Sequence, residues 1–344
     1  MEFQNPRGDY AALRLKRVED LWFSDGSIVV RVGEQACRIH QSILAANSSV
    51  LADMLSIPQP QNGETFDGLP LMSFPDPPED VLHWLKSMVL PGYFEVYPSR
   101  IPQDKLLATL RLSHKYGVQT LRQRALYHLS IAFPDMGSDH TAGFKTSFAA
   151  IDGGCTVDFL CKVQAVALEI GARWLLPSVI YNIHSATYLN VEARASLPAL
   201  MTSQDMLRLL EVGRLVLMHF MPHKLAPFVV WKEEGDDVCA FGGECEDAVR
   251  RILEKGFEQL VAHPLSFIDL PNTILTGVTP GSPVKDLISR AACKACDNNF
   301  HWRYGGACLH FQHALEDACG ATPKDIYLGR ALDTGVRADV DGWD

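Results

Sequence analysis

The chain has 344 residues, 47% of them hydrophobic and 21% charged, a globular composition with length enough for two or three domains. Its 41 acidic against 31 basic side chains leave a net charge of −10, which argues against a general nucleic-acid or anionic-membrane binder, because phosphate neutralisation needs clustered Lys and Arg. Nine cysteines without framework spacing suit a reducing compartment, and neither the first twenty residues nor the apolar stretch 215–231, broken by Pro222 and Pro227, predicts a leader or a membrane span, so the expected location is intracellular.

In chain order, Ile28, Val30 and Val32 alternate with Ser27, Val29 and Arg31, the period-two pattern of a strand. Gly33-Glu34 fits a two-residue hairpin turn, and residues 36–39 return as the second strand. From His40 the spacing becomes helical through Ile43, Leu44, Val50, Leu51, Met54 and Leu55, with Asn47-Ser48-Ser49 as a cap between two short helices. The same three residues spell a glycosylation sequon, read as chance in an intracellular chain. Residues 57–69, rich in Pro, Gln, Asn and Gly, predict an exposed loop, and 71–74 a third strand. Pro77-Pro78 opens a helix carrying Val81, Leu82, Leu85, Met88 and Val89. Residues 92–97 predict a small edge strand. Pro102 starts a helix with Leu106, Leu107, Leu110 and Leu112, which Gly117 stops, and a further helix aligns Leu121, Ala125 and Leu129.

Residues 134–154 are glycine-rich and read as a linker. Phe159, Val163, Val166, Ala167 and Ile170 then share one helical face that ends near Gly171, and Pro177 opens the next helix, through Tyr188. Trp174 with Leu175 and Leu176 reads as a core anchor. Thr202 to Asp205 is a capping-box start for a helix burying Met206, Leu209, Leu210, Val216, Leu217 and Phe220. Residues 232–246 predict an acidic loop, 248–260 a helix, 265–285 irregular structure, and 285–295 and 307–318 the last helices. The tail from Asp333 is acidic and expected to be mobile. The fold class is α+β: a small mixed sheet flanked by helices, then a mostly α-helical C-terminal region. The expected organisation is an N-terminal extension 1–16, an interaction domain 17–131, a linker 132–154, a helical domain 155–262, a mixed helical region 263–331 and the acidic tail 332–344.

Taken together, the hairpin, "CRIHQSILAANSSVLADML", "VLHWLKSMVLPGYFEVY" and "LLATLRLSHKYGVQTLRQRALYHL" resemble the BTB/POZ domain. Asp25 stands before the first strand, His40 opens the first helix, and Leu44, Ser48 and Met54 fall at the family's positions. Lys115-Tyr116-Gly117-Val118 with Leu121 matches its late motif. The flanks "LWFSDGSIVV" and "SIPQPQNGETFDGLPLMSFPD", with "ALEIGARWLLPSVIY" further on, look like the fungal branch. The resemblance implies a non-enzymatic protein that binds other proteins, forms a homodimer through its first helices, and docks a cullin scaffold of ubiquitin ligases. Leu44 would belong to the docking surface, and Tyr93-Phe94-Glu95 loosely fits the aromatic–any–Glu pattern of some cullin binders, which would make Tyr93 and Glu95 partner-binding; the competing and preferred reading of these three residues is a partly buried edge strand. No membrane and no direct nucleic-acid partner is expected. No kelch repeats or tandem zinc fingers follow, so the usual means of substrate capture is missing.

One stretch carries possible metal chemistry: "CKACDNNFHWRYGGACLHFQH". Cys293 and Cys296, followed by His310 and His313, approach a two-thiolate, two-imidazole zinc pattern. The two-residue gap between the histidines is shorter than usual, and Cys308 and His301 are alternative ligands. Cys239 and Cys245 form a second pair that could join Cys293 and Cys296 in a four-thiolate site. The competing reading is buried thiols packed as small hydrophobes, so the expected cofactor is none, with zinc the alternative. No phosphate loop, dinucleotide fingerprint, metalloprotease motif or nucleophile elbow occurs, and no nucleophile, base and orienter can be named together.

Overall fold

The computed structural model describes residues 15–57, 63–133, 151–188, 190–215, 244–245, 247, 292–298, 312–320 and 323–335. The expectations for 248–260 and 265–285, for Val216, Leu217 and Phe220, and for most of the linker and the acidic loop lie outside these residues. The fold is mixed α+β, and it divides into two compact units after Ala125.

The first unit is built on a five-stranded mixed sheet in the order β1-β3-β2-β5-β4. β2 (Ile28–Val32) is central, and Ile28, Val29, Val30 and Val32 are all buried, so it reads as a near-continuous apolar run. It pairs antiparallel with β3 (Gln35–Ile39), Val32 facing Gln35 across the predicted turn, where Gly33 takes φ +61°. β5 (Leu69–Ser73) joins the other side of β2 in parallel, and a parallel neighbour requires a crossover. α1 (Gln41–Asn47) and α2 (Ser49–Ser56) supply it. His40 makes no side-chain cap; Ser27 Oγ accepts the Gln41 N–H instead, at 3.0 Å.

Between α1 and α2 the expected cap is Ser48. Its Oγ accepts the Leu51 N–H at 2.9 Å and donates to the Tyr116 carbonyl, tying the helix junction to the end of a distant helix. That helix, α4 (Gln103–Lys115), packs on α3 (Pro78–Val89). Gly117 follows α4 at φ +69°, and the Val118 N–H closes on the Ser113 carbonyl at 2.8 Å, a glycine stop as predicted. Trp84, Phe74 and Tyr116 form a ring cluster with centroids 5.0–5.5 Å apart. The Tyr116 hydroxyl donates to Asp76 at 2.5 Å, and Lys115 pairs with the same carboxylate at 2.6 Å.

Two strands of the five-stranded sheet were not anticipated. β1 (Lys16–Trp22) lies at the sheet edge, parallel to β3, with only Leu21 fully buried. β4 (Thr65–Phe66) forms a small hairpin with β5 inside the expected loop. The edge strand expected at 92–97 is absent; those residues turn and bend, and extended pairing geometry appears instead at β6 (Ile101–Pro102). α5 (Gln119–Ala132) buries Leu121, Ala125 and Leu129 and carries the chain across the division.

In the second unit β7 (Ile151–Asp152) precedes α6 (Val157–Glu169), whose predicted face is buried and whose first turn is capped by Thr156. Gly171, at φ +74°, ends it. A 3₁₀ turn, Arg173–Leu175, leads into α7 (Leu176–Tyr188), which packs on α6. α8 (Val191–Leu200) was not foreseen: only Leu197 is buried and Pro198 lies inside it. α9 (Ser203–Leu215) starts at the predicted cap, with the Asp205 N–H on Thr202 Oγ1 at 3.2 Å. It buries Leu209 and Val212, but Leu210 points to solvent, correcting its predicted burial. α10 (Pro323–Thr334) packs on the 3₁₀ turn and contains Asp333, so the tail expected to be mobile from that residue begins as helix. Among the described residues no helix is long and apolar enough to cross a membrane.

Candidate functional site

Helix α1 turns Leu44 inward, where it is 0% exposed. This corrects its expected place on a docking surface: a side chain enclosed by its own unit has no area left to give a partner. The exposed apolar groups are one turn further on. On α2, Leu51 faces the core while Val50 is 39% and Met54 40% exposed, and Ile57 at the helix end is 62% exposed. Positions i, i+4 and i+7 share one helix face, so these three form a strip. Sequence periodicity marked Val50, Leu51 and Met54 as apolar and could not say which would be covered, while Ile57 fell in the expected exposed loop.

Tyr93 lies in the turn after α3 and is held rather than presented. Its hydroxyl is 2.7 Å from His83 Nδ1, Lys105 Nζ sits 4.1 Å from the ring centroid, and the same ammonium donates to the Tyr93 carbonyl at 3.1 Å. Phe94 is buried, and Arg124 donates to its carbonyl at 2.8 Å. Glu95 is exposed, as are Val96 and Tyr97. Of the expected Tyr-x-Glu pair, only Glu95 therefore faces outward. His40 Nε2 lies 3.4 Å from Asp25, which joins two of the residues that carry the family resemblance in one structural contact.

Burial, and secondarily Lys105, holds the His83 pKa below the ordinary imidazole value. The unfolded chain then binds this proton more readily than the folded one, so the stability His83 contributes is whole above about pH 6.5 and is lost as pH falls below it. His184 in the second unit shifts the same way, by burial first and then Arg194. The urea midpoint is expected to fall between about pH 7.5 and about pH 6, and His83→Gln to reduce that fall. An unchanged pH slope in H83Q, followed by tryptophan fluorescence, would contradict this.

The second unit brings together three thiols. Cys245, Cys293 and Cys296 place their Sγ atoms all within 4.8 Å of one another. None is in a disulfide, and all three are buried or nearly so, against Ala292 and Ala295. The Cys293 N–H donates to Cys245 Sγ at 3.1 Å. This group could hold a metal ion. It departs from the expected two-cysteine, two-histidine set. Cys245, from the alternative four-thiolate reading, joins the Cys293/Cys296 pair, and His313 is not in the group. His310, Cys239, Cys308 and His301 lie outside the described residues.

Comparison with protein-family models, with curated proteins and with solved structures finds no match for this chain.

Proposed function

We propose that the first unit is a BTB/POZ-type interaction module and that the chain is a non-enzymatic protein that self-associates through it and docks partner proteins. The observation that carries this reading is the strip Val50–Met54–Ile57, apolar and exposed beside the fully buried Leu51. Support also comes from element order: an antiparallel hairpin, two short helices, a third strand returning parallel, and the α3–α4 pair. Association would bury the strip against its copy across a two-fold axis, with the surrounding charges setting specificity. The outward Glu95, Val96 and Tyr97 are the part of the α3 loop open to a second protein, and the resemblance names a cullin scaffold as its class.

Sedimentation equilibrium tests self-association. The wild-type chain is expected to be a dimer at micromolar concentration. Met54→Glu is expected to weaken it about tenfold or more, since a charge in the centre of an interface costs at least ~1.4 kcal/mol. At a concentration low enough for both chains to be monomeric, the urea midpoint of this variant should stay at the wild-type value because Met54 is already 40% exposed. Leu207→Glu, at an exposed position on α9, should leave association unchanged. A wild-type monomer at these concentrations would overturn the reading. The second reading, a zinc-stabilised regulatory protein, is favoured only by the three-thiol group of the other unit.

A further inference from the structure

We infer that Cys245, Cys293 and Cys296 are three thiolate ligands of a single zinc ion that fastens together two segments of the second unit. The inference is independent of the docking reading. Cys293 and Cys296 belong to one turn of chain, whereas Cys245 is 48 residues away, yet all three sulfurs meet within 4.8 Å. Zinc–sulfur bonds of about 2.3 Å at tetrahedral angles separate sulfurs by about 3.8 Å, so the group closes on an ion by a contraction of at most about an ångström.

The alternative, thiols packed as small hydrophobes, describes the other buried cysteines well. Cys37, Cys161 and Cys319 are each buried, and burial pushes their thiol pKa values up to about 12, 11 and 12. None of them belongs to a group of three or more possible metal ligands among the described residues, and they pack as small hydrophobes. At Cys245 a second feature appears: the Cys293 N–H points at the sulfur. A hydrogen bond to sulfur favours the charged form over the neutral one, and such bonds orient and support metal-bound thiolates. Apolar packing needs no such donor. Soft sulfur donors select zinc over calcium or magnesium, and three thiolates leave one of the four tetrahedral positions to a further donor. Binding converts three thiols to thiolates and releases their protons, leaving a charge of −1 on the ion and its three sulfurs, which suits a neutral fourth donor.

The test uses the full chain, purified without chelator and under reducing conditions. Elemental analysis is expected to find one zinc per chain. Cys245→Ser, Cys293→Ser and Cys296→Ser should each weaken zinc binding by more than about a hundredfold, beyond the loss typical of an outer-shell contact. Cys161→Ala should retain the ion. Should a serine variant fail to fold, the metal-stripped wild-type chain titrated with cobalt(II) gives a second measurement. Its sulfur-to-metal charge-transfer absorption should have the intensity of at least three thiolates. Absence of zinc with no such absorption, wild-type affinity in C245S, or a disulfide linking any two of the three sulfurs in the freshly purified chain would each overturn the assignment. Self-association is read separately, so failure here leaves the docking proposal standing.

Discussion

Leu44→Asp is expected to unfold the first unit, whereas Met54→Glu, ten residues further on, leaves it folded. Leu44 is 0% exposed on α1, a helix that packs against α2 and α3. Truncating such a leucine to alanine costs about 2–5 kcal/mol through lost transfer energy and the cavity left behind. A carboxylate there adds the cost of an uncompensated buried charge or of the shift needed to keep it protonated, several kcal/mol more. The sum consumes most or all of the roughly 5–15 kcal/mol that holds a domain folded. Near-UV circular dichroism and hydrogen exchange of the full chain would register the loss, with amide protection falling across 28–39 and 103–115. A cooperative transition at the wild-type urea midpoint would contradict the burial of Leu44. The contrast with Met54 matters for function. Loss of partner binding in L44D reports a lost fold, and only exposed positions can report a lost interface.

The hairpin, the Ser48 cap, α3, α4 and the Gly117 stop were legible in sequence because each is written in neighbouring residues. Ser48 follows a helix with an oxygen ready for the next N–H, and Gly117 supplies the positive φ that ends α4. β1 was not legible. Lys-Arg-Val-Glu-Asp-Leu-Trp has no apolar alternation because an edge strand buries little, and its partner β3 is long-range in sequence. Beyond its ladder to β3 it makes the ion pair Lys86–Asp20 at 2.9 Å, which adds little and which no period reveals. β4 carries one local sign: Asp67-Gly68, with φ +51° and +75°, is the dipeptide of a two-residue hairpin turn. Strands as short as Thr65–Phe66 give that turn no flanking pattern.

The candidate sites divide along the same line. Apolar character at Leu44, Val50, Leu51 and Met54 was plain, but which of them the unit covers depends on helices that arrive later in the chain. In the thiol group, Cys293 and Cys296 announce themselves by spacing. Cys245 could be offered only as one of several partners, because spacing does not reach across 48 residues without the fold.

That C-terminal folding reaches back into the second unit leads to the other large effect. Trp174→Ala is expected to cost about 3–5 kcal/mol, the usual range for deleting a buried aromatic side chain. Trp174 is nearly buried in the 3₁₀ turn before α7, and its Nε1 donates to Asp333 Oδ2 at 2.9 Å, across 159 residues of sequence. Arg330 lies with its guanidinium 5.7 Å from the indole centroid and donates to the Ser130 carbonyl at 3.1 Å. Removing the indole takes from α10 its aromatic platform and one charge-assisted hydrogen bond together. Helices of twelve residues are marginal in water without packing, so α10 should fray as a unit. Hydrogen exchange at 323–334 should then speed up far more than at α6. Trp174→Phe keeps most of the ring and loses the N–H donor, so it should fall between wild type and W174A, costing about 1.5–3 kcal/mol for a bond to a charged acceptor. Protection of α10 at the wild-type level in W174A would mean that Arg330 and the buried Ile326 hold the helix without the indole, and the anchoring role given to Trp174 would fall.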